Sequence, residues 1–527
     1  MLPIISKLKS IHFEEVLFFI ASILNLAPIL GVSYFVSLDG AAHLYNAKLV
    51  LEKLIGGNGT FLDSYFIFNP LIVPNWFGHI YLAGLFNVFS VIVASKTALS
   101  SAVIGLAYSF RSLIKTVSDG EVWISWFIFP FIYSFIFFLG FYNFCFGLIF
   151  LFLSISYFIR TATNEFRIKE ILILMVLNSL AYSCHIFVFA VIQFVCVTHT
   201  LYIYFLKLKG WDAMWRKLSF IALASFPGII LSYLYFSSGI LGNDKIFVAT
   251  NELTQWLKTL RLLVIYTKDE EMFSQKIVYV LASVLLITGF VKLNSFVKLR
   301  NKQLSFLVKS NDYWIILSAI LLILYFTLAD SDGSAGFVSL RLCLLFFLFL
   351  IIWISSEKLP KWFQILSVSV IISIQYYRAS YLLPQIKSLS EQAEQCVKLG
   401  KEIKPNSVVL PINYLDNWLF LHFCNFPGIQ KPMVILDNYE AQTGYFPLKW
   451  NDAQMPNLIL GDIPNGTLPC ISWKSNLNNP AKKIDYVYIV GNPDTRIDSC
   501  TLKVKEVLAK KYTLVNSIGF YSLYKLK

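Results

Sequence analysis

The chain has 527 residues, of which 57% are hydrophobic, 17% aromatic and only 14% charged, with a mean hydropathy of +0.64. Soluble chains carry closer to ~25% charged residues, so this composition excludes an ordinary soluble enzyme and requires repeated apolar runs of about 20 residues that lie in lipid. The net charge of +13 does not point to nucleic acid, because many Lys and Arg residues cluster in short loops between apolar runs, as the positive-inside rule expects.

Lys7 and Lys9 precede the first apolar run, residues 16–36. No small-residue cleavage site follows it, which predicts a retained span rather than a cleaved signal peptide. The run leads directly into Asp39-Gly40-Ala41-Ala42-His43. If residues 40–54 are helical, Asp39 lies at the N-cap or first turn and His43 one turn along, on the same face. A carboxylate at the end of a span, facing a partly desolvated cavity, can have its pKa raised and act as a general base. His43 could hydrogen-bond a phosphate or share a metal. The same spacing also suits an Asp that merely caps the helix, with His43 on an exposed face. A polar excursion to about Asn75 follows, with an amphipathic helix over 42–54, a Gly-rich turn at 56–59 and an aromatic stretch ending at Pro70 and Pro74.

Further apolar runs cover residues 76–94, 98–108, 122–139, 141–158, 171–184, 186–205, 218–235, 278–290, 314–328, 337–354 and 363–376. They predict a polytopic α-helical membrane protein with about 11 to 13 spans. Basic clusters at Lys7/Lys9, Arg160–Lys169, Lys207–Lys217, Lys292–Lys309 and Lys358/Lys361 mark the cytoplasmic loops. Alternation then puts Asp39, the 140–143 corner, His185, the 330–336 loop and everything after Tyr377 on the other side. Between Asn75 and Arg111 parity requires an odd number of crossings, although two apolar runs are visible. The outer loop 239–273 contains an amphipathic piece, Leu253 to Leu263, that could lie in the interface or pack over the bundle.

After Tyr377 the chain reads as a polar helix (388–401), short strands (407–411 and 485–490), a helix (502–511) and a strand pair within 513–524. This predicts a membrane domain over 1–379, with its first outer loop at 38–75, and a small extracytoplasmic α/β domain over 380–527. Cys145, Cys184, Cys196 and Cys343 fall in apolar runs and read as small core residues. Cys396, Cys424, Cys470 and Cys500 would allow one or two disulfides in an oxidising compartment.

Other candidates are polar residues in apolar settings. His185 interrupts an apolar run, and an ionisable group near membrane depth is a functional candidate. At the corner before it, Asn143 could bond a substrate hydroxyl and Tyr142 could stack or anchor. Asp330 and Asp332 precede Arg341, which is costly in lipid unless an anion, such as a lipid phosphate, meets it. Arg378 follows the last span at headgroup level and could bind phosphate or anchor the helix. Glu440 belongs to a polar and aromatic patch, Asp437-Asn438-Tyr439-Glu440, followed by Gly444-Tyr445-Phe446-Pro447, suited to carbohydrate or to a plain domain contact. Asn58 and Asn465 match the N-glycosylation pattern, and P-loop, GxGxxG, HExxH and GxSxG motifs in their required contexts are lacking.

A first span running into an acidic outer motif, a long first outer loop with a helix, many further spans and a small outer C-terminal domain together resemble the GT-C superfamily of integral membrane glycosyltransferases. The resemblance implies inverting transfer of a sugar from a polyprenyl-phosphate carrier to a glycan, lipid or protein acceptor at the outer face. It implies Asp39 as catalytic base, with Arg341, Arg378 and His185 as candidates for the carrier's phosphate. It also implies an integral protein of a bacterial inner membrane, in contact with membrane lipid. Many members carry two adjacent acidic residues where this chain has Asp39 followed by Gly40, with His43 the nearest polar partner. No metal ligands are assigned, although a divalent metal could be present. Two other readings fit the same pattern: a non-catalytic scaffold or partner subunit, and a lipid or solute transporter. The transporter would call for polar groups near mid-span and repeat symmetry, and neither is evident in the sequence.

Overall fold

The computed structural model describes residues 13–527 apart from 58, 119–121, 162–166, 208–209, 240–241, 243, 300–308, 334–335, 452–457, 461–470 and 474–483. Asn58 and Asn465 of the two glycosylation patterns lie outside the described residues. The chain divides into two compact units, one of Met1–Leu30 with Leu99–Pro384 and one of Gly31–Ala98 with Gln385–Lys527.

The first unit is helical, as apolar segments in lipid must be, because only internal pairing satisfies their backbone N–H and C=O groups. Among the described residues seven helices are long and apolar enough to cross a membrane: Phe13–Leu30, Val91–Val117, Tyr142–Thr161, Ile186–Leu206, Trp211–Ser237, Lys268–Ser295 and Ser310–Thr327. Phe77–Phe86, Trp123–Phe138 and Val338–Ile354 are apolar but shorter. Large side chains such as Phe226, Tyr279, Leu286 and Phe290 stand exposed on the long helices, the surface expected of helices solvated by acyl chains. This is an integral membrane protein.

The stretch 76–108 differs from its sequence reading. The run 76–94 is not one span: its helix ends at Phe86, and a second helix starts at Val91 and continues without a break to Val117. Asn87 and Ser90 flank the break, and both favour chain ends over helix interiors. One helix of 27 residues and one of 10 thus replace two apparent runs. The amphipathic piece near 253 forms helix Thr250–Thr259 and stops at Leu260 in a left-handed conformation (φ 48°). Leu253, Leu260, Leu262 and Leu263 are buried within this unit.

The second unit contains a five-stranded sheet. Its strands, numbered with the others of the chain, are β2 (Val408–Asn413), β3 (Val434–Ile435), β7 (Tyr486–Val490), β8 (Tyr512–Ile518) and β9 (Tyr521–Leu526), ordered β3-β2-β7-β9-β8. β2 pairs in parallel with β3 and β7, whereas β9 pairs antiparallel with both β7 and β8. The central strand β7 is buried along its whole length, which its Tyr-Val-Tyr-Ile-Val sequence suits. A second, two-stranded sheet joins β1 (Phe66–Phe68) to β4 (Leu448–Trp450), and a third pairs β5 (Leu458–Leu460) with β6 (Ile471–Trp473). Phe66 stacks on Trp450 at 4.6 Å. The Asn69 amide donates to the carbonyls of Gly444 and Phe446, so residues 66–69 and the C-terminal region fold together.

Helix Gly40–Ile55 runs through this unit. It is not amphipathic as expected: Gly40 to Ala47 and Leu49 to Leu51 are all buried. Tyr45 shows how the helix is held. Its hydroxyl donates to the Met433 carbonyl at 2.9 Å and accepts from the Ile435 N–H at 3.0 Å. The ring rests on Gly428, where any Cβ would collide with it and approach Ile435 Cδ1 to 2.8 Å. Tyr45→Phe keeps the ring and orphans two buried main-chain groups, so it is expected to destabilise the protein by about 2 kcal/mol. The check is a lower thermal midpoint in detergent, with faster amide exchange at Val434 and Ile435. Unchanged exchange there would refute the bridging role.

Candidate active site

Asp39 is the N-cap residue of helix Gly40–Ile55, yet its side chain makes no capping hydrogen bond. Its carboxylate is therefore not spent on the helix. It is instead 7% exposed and turned into the second unit, where Asp39 Oδ1 lies 3.8 Å from His422 Nε2. The other ring nitrogen, Nδ1, faces Asp437 Oδ2 at 3.9 Å. One imidazole is thus flanked by two carboxylates at ion-pair distances that stop short of hydrogen bonds. Tyr439 stacks on the His422 ring at 4.3 Å and 26°. Its buried hydroxyl is directed toward Asp39 without closing a full hydrogen bond.

Burial raises the Asp39 pKa, and the Glu440 charge adds to this. The positive ends of His422 and His43 oppose it without cancelling it. For His422 burial acts downward, but Asp437, Asp39 and Glu440 together outweigh it and the net shift is upward. The result is a buried carboxylate weakened toward protonation beside an imidazole that holds its proton more firmly, a suitable pairing for acid–base chemistry.

One helical turn on, His43 Nδ1 lies 2.7 Å from Glu440 Oε1. The second Glu440 oxygen, Oε2, is 2.6 Å from His79 Nε2, and His79 Nδ1 is 3.1 Å from the Asn75 carbonyl. Glu440 is 1% exposed. Burial pushes its pKa up, but the two imidazoles prevail and hold it at about 2. Phe446 packs on both rings, at 6.0 Å from His43 and 5.5 Å from His79. Asn46, on the next residue but two, exchanges a reciprocal pair of amide hydrogen bonds with Asn438 at 2.9 and 2.8 Å. Asn438 in turn caps the helix Tyr439–Thr443 that carries Glu440.

The sequence candidates thus separate into groups. Asp39, His43 and Glu440 come together in the second unit. In the first unit Arg341 lies over the rings of Phe141 (4.9 Å) and Phe144 (5.6 Å), and His185 meets the Phe144 ring edge-on at 5.6 Å. His185 Nδ1 accepts the Phe187 N–H, so its proton sits on Nε2 when the ring is neutral. Tyr142 and Asn143 are buried at the start of helix Tyr142–Thr161, entered through Gly140 at φ +80°, where a side chain would be strained. Asp330 accepts from the Ser339 N–H at 2.8 Å, anchoring its loop to helix Val338–Ile354, and Asp332 is half-buried. Arg378 differs most from its expected headgroup position. It is 1% exposed and donates to the carbonyls of Pro130, Tyr133 and Leu263.

Two residues in the cluster were not singled out from sequence. His79 sits in the apolar run 76–94, and the rule that flags His185 would have flagged it too. His422, between Leu421 and Phe423, shows no local signal and is identified only by its distant partners.

The chain is, then, a polytopic membrane protein in which helix Gly40–Ile55 follows a buried acid, Asp39, beside a histidine-rich cluster. No protein-family model matches it and no curated protein matches its sequence. Among solved structures it is similar to ArnT from Cupriavidus metallidurans in the apo state. The likeness covers 97% of each chain with a TM-score of 0.42 and 9% identity. At that identity no residue role can be carried across.

Proposed function

We propose that this protein is a membrane glycosyltransferase that moves a sugar from a polyprenyl-phosphate carrier to an acceptor at the extracytoplasmic face, with Asp39 as general base. The observation that carries the reading is the Asp39 carboxylate: buried, uncapped, weakened as an acid by its surroundings and held beside His422. In the reaction Asp39 takes the proton of the acceptor hydroxyl or amine as that oxygen or nitrogen attacks the anomeric carbon. The bond from that carbon to the carrier's phosphate oxygen breaks, the configuration inverts and the polyprenyl phosphate leaves. His422, charged between Asp39 and Asp437, stabilises the ionised base without reacting itself.

For the carrier's phosphate the proposed residue is Arg341, a buried cation among aromatic rings. A guanidinium is suited to phosphate by charge and by its planar array of donors. Arg378 is a weaker choice, because its terminal nitrogens already serve three carbonyls. An extracytoplasmic location for the second unit is supported by Cys500, which is disulfide-bonded. Cys396 and Cys424 are free and buried.

The test is turnover of a radiolabelled polyprenyl-phosphate sugar by the purified chain with a membrane-lipid extract as acceptor. Free polyprenyl phosphate and glycosylated product should appear in equal amounts. Movement of substrate across proteoliposomes without any covalent product would replace this reading with transport.

A further inference from the structure

We infer that His43, His79 and Glu440 form a binding site for one divalent transition-metal ion of the zinc class. The inference is independent of the glycosyltransferase reading, since it rests on the donor set alone. Both His79 ring nitrogens face atoms that can only accept: Nδ1 the Asn75 carbonyl at 3.1 Å, Nε2 the Glu440 carboxylate at 2.6 Å. A neutral imidazole carries one N–H. With that hydrogen on Nδ1, Nε2 and the carboxylate oxygen would oppose lone pair to lone pair unless a cation sits at Nε2. That cation is either a second proton or a metal.

The remaining geometry favours metal. The donor atoms of the three residues lie within 4.8 Å of one another, and all three residues are buried. The carboxylate offers one oxygen to each imidazole. The carbonyl bond to His79 Nδ1 is the outer support that metal-bound histidines almost always have, and it leaves Nε2 free to ligate. Phe446 packs on both rings and shields the set from water. Two imidazoles and one carboxylate suit zinc and its neighbours, whereas magnesium and calcium prefer oxygen ligands throughout. Three protein ligands leave a fourth position for water or substrate. Bound there, the ion would join helices Gly40–Ile55 and Phe77–Phe86 to the short helix Tyr439–Thr443.

The experiment uses the untagged full chain in detergent, dialysed against micromolar zinc in millimolar magnesium. About one zinc per chain is expected by mass spectrometric metal analysis, with a thermal midpoint that falls on chelation and returns on adding zinc. X-ray absorption at the zinc edge of the loaded wild type should count two imidazoles. Zinc affinity should fall by more than about 100-fold in His79→Gln and in Glu440→Gln, beyond the ~10–100-fold that losing an outer supporting bond costs. Substoichiometric zinc in the wild type, any other imidazole count, or full zinc retention in both variants would overturn the site and leave a proton at His79 Nε2. The absorption measurement needs no variant and decides the matter if the substitutions prevent folding.

Discussion

Asp39→Asn is expected to lower sugar transfer by roughly two to four orders of magnitude, the range a general base contributes, while the protein accumulates and melts as the wild type does. The two halves of this result are separable for structural reasons. Asn matches Asp in size, and no capping hydrogen bond is lost because the Asp39 side chain makes none. Removing a buried charge also removes its desolvation cost. A merely structural Asp39 would therefore show normal transfer in the variant, and that outcome would end the proposed mechanism.

The pH profile gives a second, signed check. Because the Asp39 pKa is raised, its basic form is present only above that raised value and is lost as pH falls through it. The acid limb of kcat/KM should accordingly lie above the pH at which an exposed Asp titrates, about 3.9. The charge on His422 is the largest influence pulling the Asp39 pKa back down. His422→Gln removes it, so the acid limb should move to higher pH, with a smaller loss of the plateau rate than in Asp39→Asn. A fixed limb in that variant would show that His422 does not act on the base.

Local pattern explains what the sequence made visible. The run 485–490 is apolar and bounded by turn residues, and it forms β7 at Tyr486–Val490; 407–411 appears as β2, Val408–Asn413. The first span follows from hydropathy in the same way, although it ends at Leu30 and not at Val36, and Asp39 stands at the N-cap of helix Gly40–Ile55 without a capping hydrogen bond. What joins Asp39 to its neighbours was not visible. Asn46 meets Asn438 across 392 residues and His79 meets Glu440 across 361, separations at which no helical or strand period carries information. The burial of helix Gly40–Ile55 on nearly all sides has the same origin. Its Ala, Leu and Val residues suit burial, but its polar His43, Tyr45 and Asn46 read as an exposed face until Glu440, Met433, Ile435 and Asn438 supply their partners.

Arg378→Leu is expected to destabilise the protein by about 3–9 kcal/mol, enough to deplete folded chain from the membrane. The estimate comes from three carbonyls, those of Pro130, Tyr133 and Leu263, each losing its buried donor at roughly 1–3 kcal/mol. The charge on Glu270 acts on Arg378 as well. Glu270 is fully buried, and its carboxylate accepts the N–H groups of Ile265, Tyr266 and Thr267. Arg378 and Glu270 thus fix the same stretch, 263–267, from opposite main-chain polarities, one through a carbonyl and the other through amides. Arg378→Lys keeps the charge but cannot span carbonyls of three separate residues with one compact ammonium, so it should recover only part of the loss. A phosphate-binding Arg378 predicts the reverse: Leu and Lys variants with wild-type melting, and a raised KM for the carrier that Lys largely restores. Thermal midpoints of the two variants, read beside donor KM, separate the structural clamp from the substrate contact.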